Sequence, residues 1–271
     1  MSNEIYIAYW SGEEPTGPGQ SPTLDKTPDY IDIVPLFYVL INKDGSLDFN
    51  RLVLHNSQAA IKGWMEDIRT RQKNQPKKTK FTLGILSGDF PSQDPTTFAQ
   101  TVKDAVEDWG ADGVTVDYEP PDGDERILDV VKAIRDAIGT DAIMTAPIYD
   151  SWTPWPDLLK SYSAFFNFIE TMDYSPYPGK KTTIDDYESY AQTIGTTDAP
   201  AYDKIAIGVS CMEPSRDYYT PLADVIDLCQ YEPASGKKAG IMLYTLSYDV
   251  TSHGSGYPDG TFTKTIADNL P

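Results

Sequence analysis

The sequence predicts an α/β fold, a closed (β/α)8 barrel formed by one domain spanning residues 1–271. Three observations predict it. Eight strand-like runs alternate with helical patterns in seven of the eight connections or tails, and such alternation implies parallel strands joined by right-handed crossovers. Eight units fit within 271 residues, a length suited to a compact barrel. No Gly-rich phosphate fingerprint follows any strand, which counts against the alternative, an open doubly wound sheet.

Taken in order, Glu4 to Trp10 reads as a strand rich in Ile and Tyr. Ser11 to Tyr30 is full of Gly and Pro and has no helical period. Ile31 to Ile41 is a second apolar run, closed by Asn42-Lys43-Asp44-Gly45. Ser57 to Gln72 places Ala60, Ile61, Trp64, Met65 and Ile68 on one helical face. Lys80 to Leu86 is the third strand. Asp94 and Pro95 form an N-cap and first-turn pair, Phe98, Val102, Val106 and Trp109 form the buried stripe, and Gly110 ends the helix.

The fourth strand occupies Gly110-Ala111-Asp112-Gly113-Val114-Thr115-Val116-Asp117-Tyr118-Glu119-Pro120-Pro121. Ile127, Leu128, Val131, Ile134 and Ile138 mark the next helix, which Gly139 closes. Ala142 to Ile148 and Phe168 to Tyr174 read as strands five and six, with a short helix over Pro156 to Ser163 between them. A helix over Thr183 to Ile194, stopped by Gly195, leads to strand seven at Lys204 to Val209. Pro221 to Gln230 is helical, Ala239 to Leu246 is strand eight, and Thr261 to Asn269 is the closing helix.

Strand four carries the chemistry. Side chains alternate across a strand, so Thr115, Asp117 and Glu119 share one face while Val114, Val116 and Tyr118 take the other. The Asp117 and Glu119 backbones lie about 6.6 Å apart, two residues at about 3.3 Å each. Burying unpaired charge is costly, so such a row of acids requires a reason. The two prolines end the ladder. Glu119 therefore sits at the C-terminal strand end, where barrels and open α/β sheets place their active sites. A lone strand-end Glu commonly makes a surface salt bridge, and the same-face Asp117 argues against that here.

Composition narrows the partner. The formal net charge is −19, which argues against nucleic acid and against an anionic membrane surface, since both need a basic patch. A neutral ligand is favoured. No apolar run is long enough to span a membrane. Cys211 and Cys229 are too few for a disulfide framework and read as buried thiols. His55 and His253 stand alone, and no spacing suggests a metal site. No cofactor is expected, and the chain is expected to be monomeric. Trp152 and Trp155 follow strand five, where exposed indoles would suit stacking on sugar rings.

These residues resemble glycoside hydrolase family 18. Asp112-Gly113, Asp117 and Glu119 are similar to the Asp-Gly-x-Asp-x-Asp-x-Glu motif that closes strand four in that family. Tyr9-Trp10 ends strand one, as in short plant-type chitinases. Met172-Asp173-Tyr174 resembles the strand-six Met-x-Tyr, and Gly240-Ile241-Met242-Leu243-Tyr244 resembles the strand-eight Gly-x-Met-x-Trp, with Tyr for Trp. That Tyr, the Ser175-Pro176-Tyr177 segment and the short length without an inserted α+β domain are similar to the endo-β-N-acetylglucosaminidase branch. The sequence differs from the family where Thr115 replaces the middle Asp, where Ser175 replaces the Asp after the strand-six Tyr, and where Gly84-Ile85-Leu86-Ser87 replaces Ser-x-Gly-Gly.

The resemblance implies a retaining hydrolase of β-1,4-linked N-acetylglucosamine on a (β/α)8 barrel, acting on an oligosaccharide or glycoprotein glycan. Glu119 would be the general acid, Asp117 the orienting anion and Tyr174 a hydroxyl for the acetamido carbonyl. Asp112, Thr115, Tyr9, Trp10, Met172, Asp173, Tyr177, Tyr244 and Trp152 are the expected substrate-binding residues. The other reading is a carbohydrate-binding protein without turnover. Met1-Ser2-Asn3-Glu4 does not read as a secretory leader; the expected location is outside the cell, with the cytoplasm as the alternative.

Overall fold

A computed structural model of the chain describes residues 4–12, 23–87, 92–119, 125–149, 155–174, 176–212, 218–250 and 257–271. Eight parallel strands close into a barrel: β1 (Ile5–Ala8), β2 (Ile33–Ile41), β3 (Lys80–Ser87), β4 (Gly113–Tyr118), β5 (Ile143–Ile148), β6 (Phe168–Thr171), β7 (Ile205–Ser210) and β8 (Gly240–Tyr244). Each pairs with its sequence neighbour, and the seam closes where β1 pairs with both β2 and β8. Trp10–Ser11 continues β1 beside Leu36–Phe37, and Leu47–Asp48 folds back antiparallel on the end of β2. The helices are α1 (Gln58–Arg71), α2 (Pro95–Trp109), α3 (Arg126–Ile138), α4 (Trp155–Ser163), α5 (Lys180–Ile194), α6 (Leu222–Gln230) and α7 (Thr261–Asn269).

Boundaries move where hydrogen bonding stops before the apolar pattern does. The run from Phe168 to Tyr174 keeps its strand ladder only to Thr171. That from Ala239 to Leu246 keeps it over Gly240–Tyr244 and then turns into a short 3₁₀ segment at Leu246–Tyr248. Of the connections between strands, the one from β1 to β2 has no α-helix among its described residues, only a 3₁₀ turn at Leu24–Lys26.

The helix ends follow local chemistry. Asp94 Oδ2 accepts from the Thr97 amide at 3.1 Å, Pro95 occupies the first turn, and Gly110 closes α2 in the left-handed region at φ 64°. Replacing Asp94 by Ala leaves that first-turn amide without its side-chain acceptor. It is expected to lower stability by about 1 kcal/mol in urea denaturation. Ser57 caps α1 in the same way, accepting from the Ala60 amide at 3.2 Å.

Strand alternation divides the core in two. Tyr6, Ala8, Trp10, Val114, Val116 and Tyr118 face outward into the layer shared with the helices, together with Phe98, Val102 and Ile134. Ile7, Tyr9, Ile33, Phe37, Met172, Tyr174, Ala206 and Met242 face inward and fill the barrel. The outer layer is the larger reservoir of buried apolar surface, and such burial dominates the favourable free energy of folding. The inner layer contains a polar belt. Thr82, Thr115 and Thr145, on three consecutive strands, share hydrogen bonds of 2.7 and 2.8 Å. Each of these hydroxyls therefore finds a partner despite complete burial.

Candidate active site

Above the threonine belt, β4 delivers two acids to the C-terminal mouth. Asp117 is the penultimate residue of β4 and only 4 % exposed. Glu119 follows the strand and has one side open to solvent. The alternation that buries Thr115 inside the barrel thus points Asp117 inward and lifts Glu119 to the rim. The two carboxyls are hydrogen-bonded to each other. Burial pushes Asp117 well above the ordinary carboxylate value; the Glu119 charge and hydrogen bond, and then the Glu170 charge, add to it. Desolvation on the cavity side also raises Glu119, against a lowering hydrogen bond from Asp117. Two like charges this close resist joint ionisation, so a proton is shared by the pair.

The pair opens into a cavity of about 400 Å³. Its floor and walls are aromatic: Tyr9, Phe37, Tyr38, Tyr174, Tyr218 and Tyr244, with Leu86, Pro147, Met172 and Met212 between them. Tyr174 and Tyr244 lie nearly parallel, 13° apart with ring centroids 5.9 Å apart. The Tyr38 and Tyr244 hydroxyls are 3.2 Å apart. Gly208 makes room for this arrangement, because a Cβ there would lie 1.7 Å from Thr171 O and 3.0 Å from Tyr174 Cε1. Arg51 is the cation on the described wall, its guanidinium 5.5 Å from the Tyr38 ring centroid. Large apolar walls with a few convergent polar groups suit the faces and hydroxyls of a sugar.

Of the residues expected from sequence, Tyr9, Met172, Tyr174 and Tyr244 join Asp117 and Glu119 in this cavity. Thr115 lies below them in the belt, fully buried. Others lie elsewhere. Trp10 is the outward neighbour of inward Tyr9 and packs edge-on to Trp64, 1 % exposed. Asp112 precedes β4 and so lies at the opposite end of the barrel from Glu119. There it pairs with Arg69 at 3.0 Å and Lys80 at 2.8 Å and accepts from the Phe81 amide. Burial would push Asp112 up, but Lys80, the Phe81 amide and Arg69 outweigh it and hold the carboxyl below its usual range. Asp173 is buried without lining the cavity. Tyr177 donates from its hydroxyl to Asp224 at 2.9 Å, outside the mouth. Trp152, Pro120, Pro121, Ser175 and His253 lie outside the described residues.

The structure adds residues that the sequence reading passed over. Phe37, Tyr38, Arg51, Leu86, Pro147, Met212 and Tyr218 line the cavity. Glu170, fully buried on β6, accepts from the Tyr9 hydroxyl at 2.6 Å. Its parity with Met172 and Tyr174 was a readable signal that it faces inward; Arg51, in a turn region, had none. Among the described residues no group of three or more His, Cys, Asp and Glu side chains is arranged to hold a metal ion. Nor is any described helix long and apolar enough to cross a membrane.

No protein-family model and no curated protein matches this chain. Solved structures match its fold. A chitinase from Rhizomucor miehei superposes with a TM-score of 0.70 at 15 % identity, over 98 % of this chain and 99 % of that one. A family GH18 chitinase from Chromobacterium violaceum gives 0.71 at 15 %, over 99 % and 84 %. A fungal endo-β-N-acetylglucosaminidase of glycosyl hydrolase family 18 gives 0.70 at 13 %, over 98 % and 97 %. The chain thus has the barrel fold on which family 18 chitinases and endo-β-N-acetylglucosaminidases are built.

Proposed function

We propose that this chain is a family 18 retaining hydrolase of β-1,4-linked N-acetylglucosamine, acting on the chitobiose core of N-glycans or on chitin oligomers. The observation that carries the reading is the placement of the Asp117 and Glu119 carboxyls together at the end of β4, opening into a cavity with aromatic walls. Glu119, raised by desolvation, suits acid catalysis near neutral pH. Family 18 enzymes depart from the usual two-carboxylate scheme because the substrate supplies its own nucleophile.

In this reading Glu119 protonates the glycosidic oxygen. The substrate's 2-acetamido oxygen attacks the anomeric carbon as the leaving group departs, and an oxazolinium forms. Asp117, as an anion, accepts a hydrogen bond from the acetamido N–H and stabilises the positive ring. The Tyr174 hydroxyl donates to the acetamido oxygen; burial foremost, and then the surrounding carboxylates, keep that phenol protonated by raising it well above its ordinary value. Water then enters from the leaving-group side with Glu119 as base, so the anomeric configuration is retained. Tyr244 and Tyr38 offer ring faces and hydroxyls to the sugar.

A second reading, sugar binding without turnover, draws support from Thr115, an uncharged residue below Asp117 on β4. Incubation with a high-mannose glycoprotein and with a chitin oligomer, read by product mass, separates these readings. Release of a glycan bearing one N-acetylglucosamine at its reducing end, or of shortened oligomers, is the expected result. Binding with no product from either substrate would favour the second reading.

A further inference from the structure

Beneath Asp117 the barrel holds an acid to which the mechanism above gives no role. Glu170 is fully buried on β6, level with Pro147 of β5 and Ala206 of β7. The Tyr9 hydroxyl from β1 donates to its Oε2 at 2.6 Å, its Oε1 has no hydrogen-bond partner among the described residues, and the Thr145 hydroxyl of β5 is near enough to lower it. Thr145 is also the end of the belt that reaches Thr115 at 2.8 Å and Thr82 at 2.7 Å. No lysine or arginine among the described residues contributes to holding it. A buried carboxylate without a cation is costly, so the group must spend part of its time neutral. The ionisable groups around it are Asp117 from β4, Tyr9 from β1 and Tyr174 beyond β6, with Glu119 above Asp117. β8 presents Met242 and, above it, the Tyr244 phenol beside Tyr9 and Tyr174, and β2 presents Phe37 and Ile33, with the Tyr38 phenol at the cavity.

We propose that Glu170 is a positioning residue for the Asp117–Glu119 pair: from β6 it supplies the neighbouring carboxyl that Thr115 does not, and its neutral form leaves the pair's proton on Glu119 and its charge on Asp117. The inference rests on reading that pair as the hydrolase's acid and its anion.

The physical reason is a competition over one proton. Acid catalysis needs the proton on Glu119 and the charge on Asp117. Burial works the other way, since Asp117 is the deeper of the two and is driven towards its neutral form. A negative Glu170 below it would strengthen that drive; a neutral Glu170 does not. Burial raises Glu170 to about 7, against the lowering hydrogen bond from Tyr9 and the lowering effect of the nearby Thr145 hydroxyl. Below that pH Glu170 is neutral and the reactive arrangement is available. As pH rises through it, Glu170 releases its proton to water, and the pair's own proton shifts from Glu119 to Asp117. No bond between heavy atoms changes. Turnover falls while the sugar-binding walls stay as they were.

Glu170→Gln tests this, because the amide oxygen still accepts from Tyr9 and the charge is gone. The alkaline limb of kcat is expected to move up, so that the ratio of kcat at about pH 8 to kcat at about pH 5 rises about tenfold with KM unchanged. A profile that superimposes on that of the wild type overturns the proposal, as does a folded variant inactive at every pH. If Glu170→Gln does not fold, Tyr9→Phe replaces it: loss of the donor raises Glu170, so the limb again moves up, and an unmoved limb overturns the proposal. A second measurement needs no turnover. In a carboxyl NMR titration with labelled aspartate, assigned through Asp117→Asn, Asp117 is expected to titrate about one pH unit lower in Glu170→Gln. An unchanged Asp117 overturns the role of Glu170. Failure of the wild type to hydrolyse any glycan overturns the hydrolase reading alone, because the titration still decides whether Glu170 controls Asp117.

Discussion

Replacing Glu119 by Gln is expected to lower kcat by about 10²–10⁴ while sugar binding persists. Gln keeps the length and planarity of the side chain and can still accept a hydrogen bond from Asp117, but it has no acidic proton for the glycosidic oxygen. The aromatic walls, formed by Tyr9, Tyr174 and Tyr244 among others, do not depend on that proton. KM or a directly measured dissociation constant should therefore change far less than kcat, the signature of an interaction made only in the transition state. The substitution also removes the charge that helps to raise Asp117, so Asp117 in the variant ionises at lower pH than in the wild type. Steady-state kinetics with calorimetric binding to the same oligosaccharide reads both effects. Turnover equal to the wild type would remove Glu119 from the mechanism.

What made this site legible was parity. Two acids at i and i+2, above a threonine and closed by prolines, can face only one way on a strand, and both Thr115 and Asp117 are buried on the inner face. The same rule explains the misplaced residues. Trp10 is adjacent to Tyr9, and with alternation kept there it packs in the outer layer, whereas β2 breaks its register between Leu36 and Val39 and brings both Phe37 and Tyr38 to the cavity. Asp112 belongs to the same motif in sequence, but a strand separates its ends in space. Five residues before Asp117, it binds Arg69 and Lys80 at the far rim. Motif spacing records contiguity along the chain, whereas a barrel sorts residues by end and by face.

Other features were out of reach for a different reason. Arg51, Tyr38, Met212 and Tyr218 come to the cavity from segments far apart in the chain, and no local period marks them. Glu170 stood in a run already noted for Met172 and Tyr174. Its significance comes from what closes around it, Tyr9 from the first strand and Thr145 from the fifth. Long-range juxtaposition of that kind requires the closed barrel. The helices were the easier part, since caps such as Asp94 and Gly110 act within a turn of where they stand.

Replacing Lys238 by Met is expected to cost about 3–5 kcal/mol of stability at neutral pH. Lys238 is 2 % exposed and Glu4 5 %, and their charged groups lie 2.7 Å apart. Lys238 Nζ also donates to Cys229 O at 2.7 Å and Tyr231 O at 3.0 Å. The pair sits where the barrel closes: Glu4 precedes β1, Lys238 precedes β8, and Ile5 is in register with Gly240. Met fills a similar volume, so the loss comes chiefly from leaving the Glu4 carboxylate buried without its cation, with the Cys229 and Tyr231 carbonyls also losing their donor. Burial already raises Glu4 above its ordinary 4.5, despite the lowering contribution of Lys238. Without the lysine it rises further. A folded-state value above the unfolded one means that the folded state binds the proton more tightly, so stability falls as pH rises through that window. The destabilisation is therefore greatest near neutral pH and shrinks below the ordinary carboxylate value, where Glu4 is protonated in both states. Urea denaturation of Lys238→Met across pH measures it. Adding Glu4→Gln should recover much of the loss, because the uncompensated charge is then gone. A loss near zero at neutral pH, or one that grows on acidification, would show that this ion pair does not hold the seam.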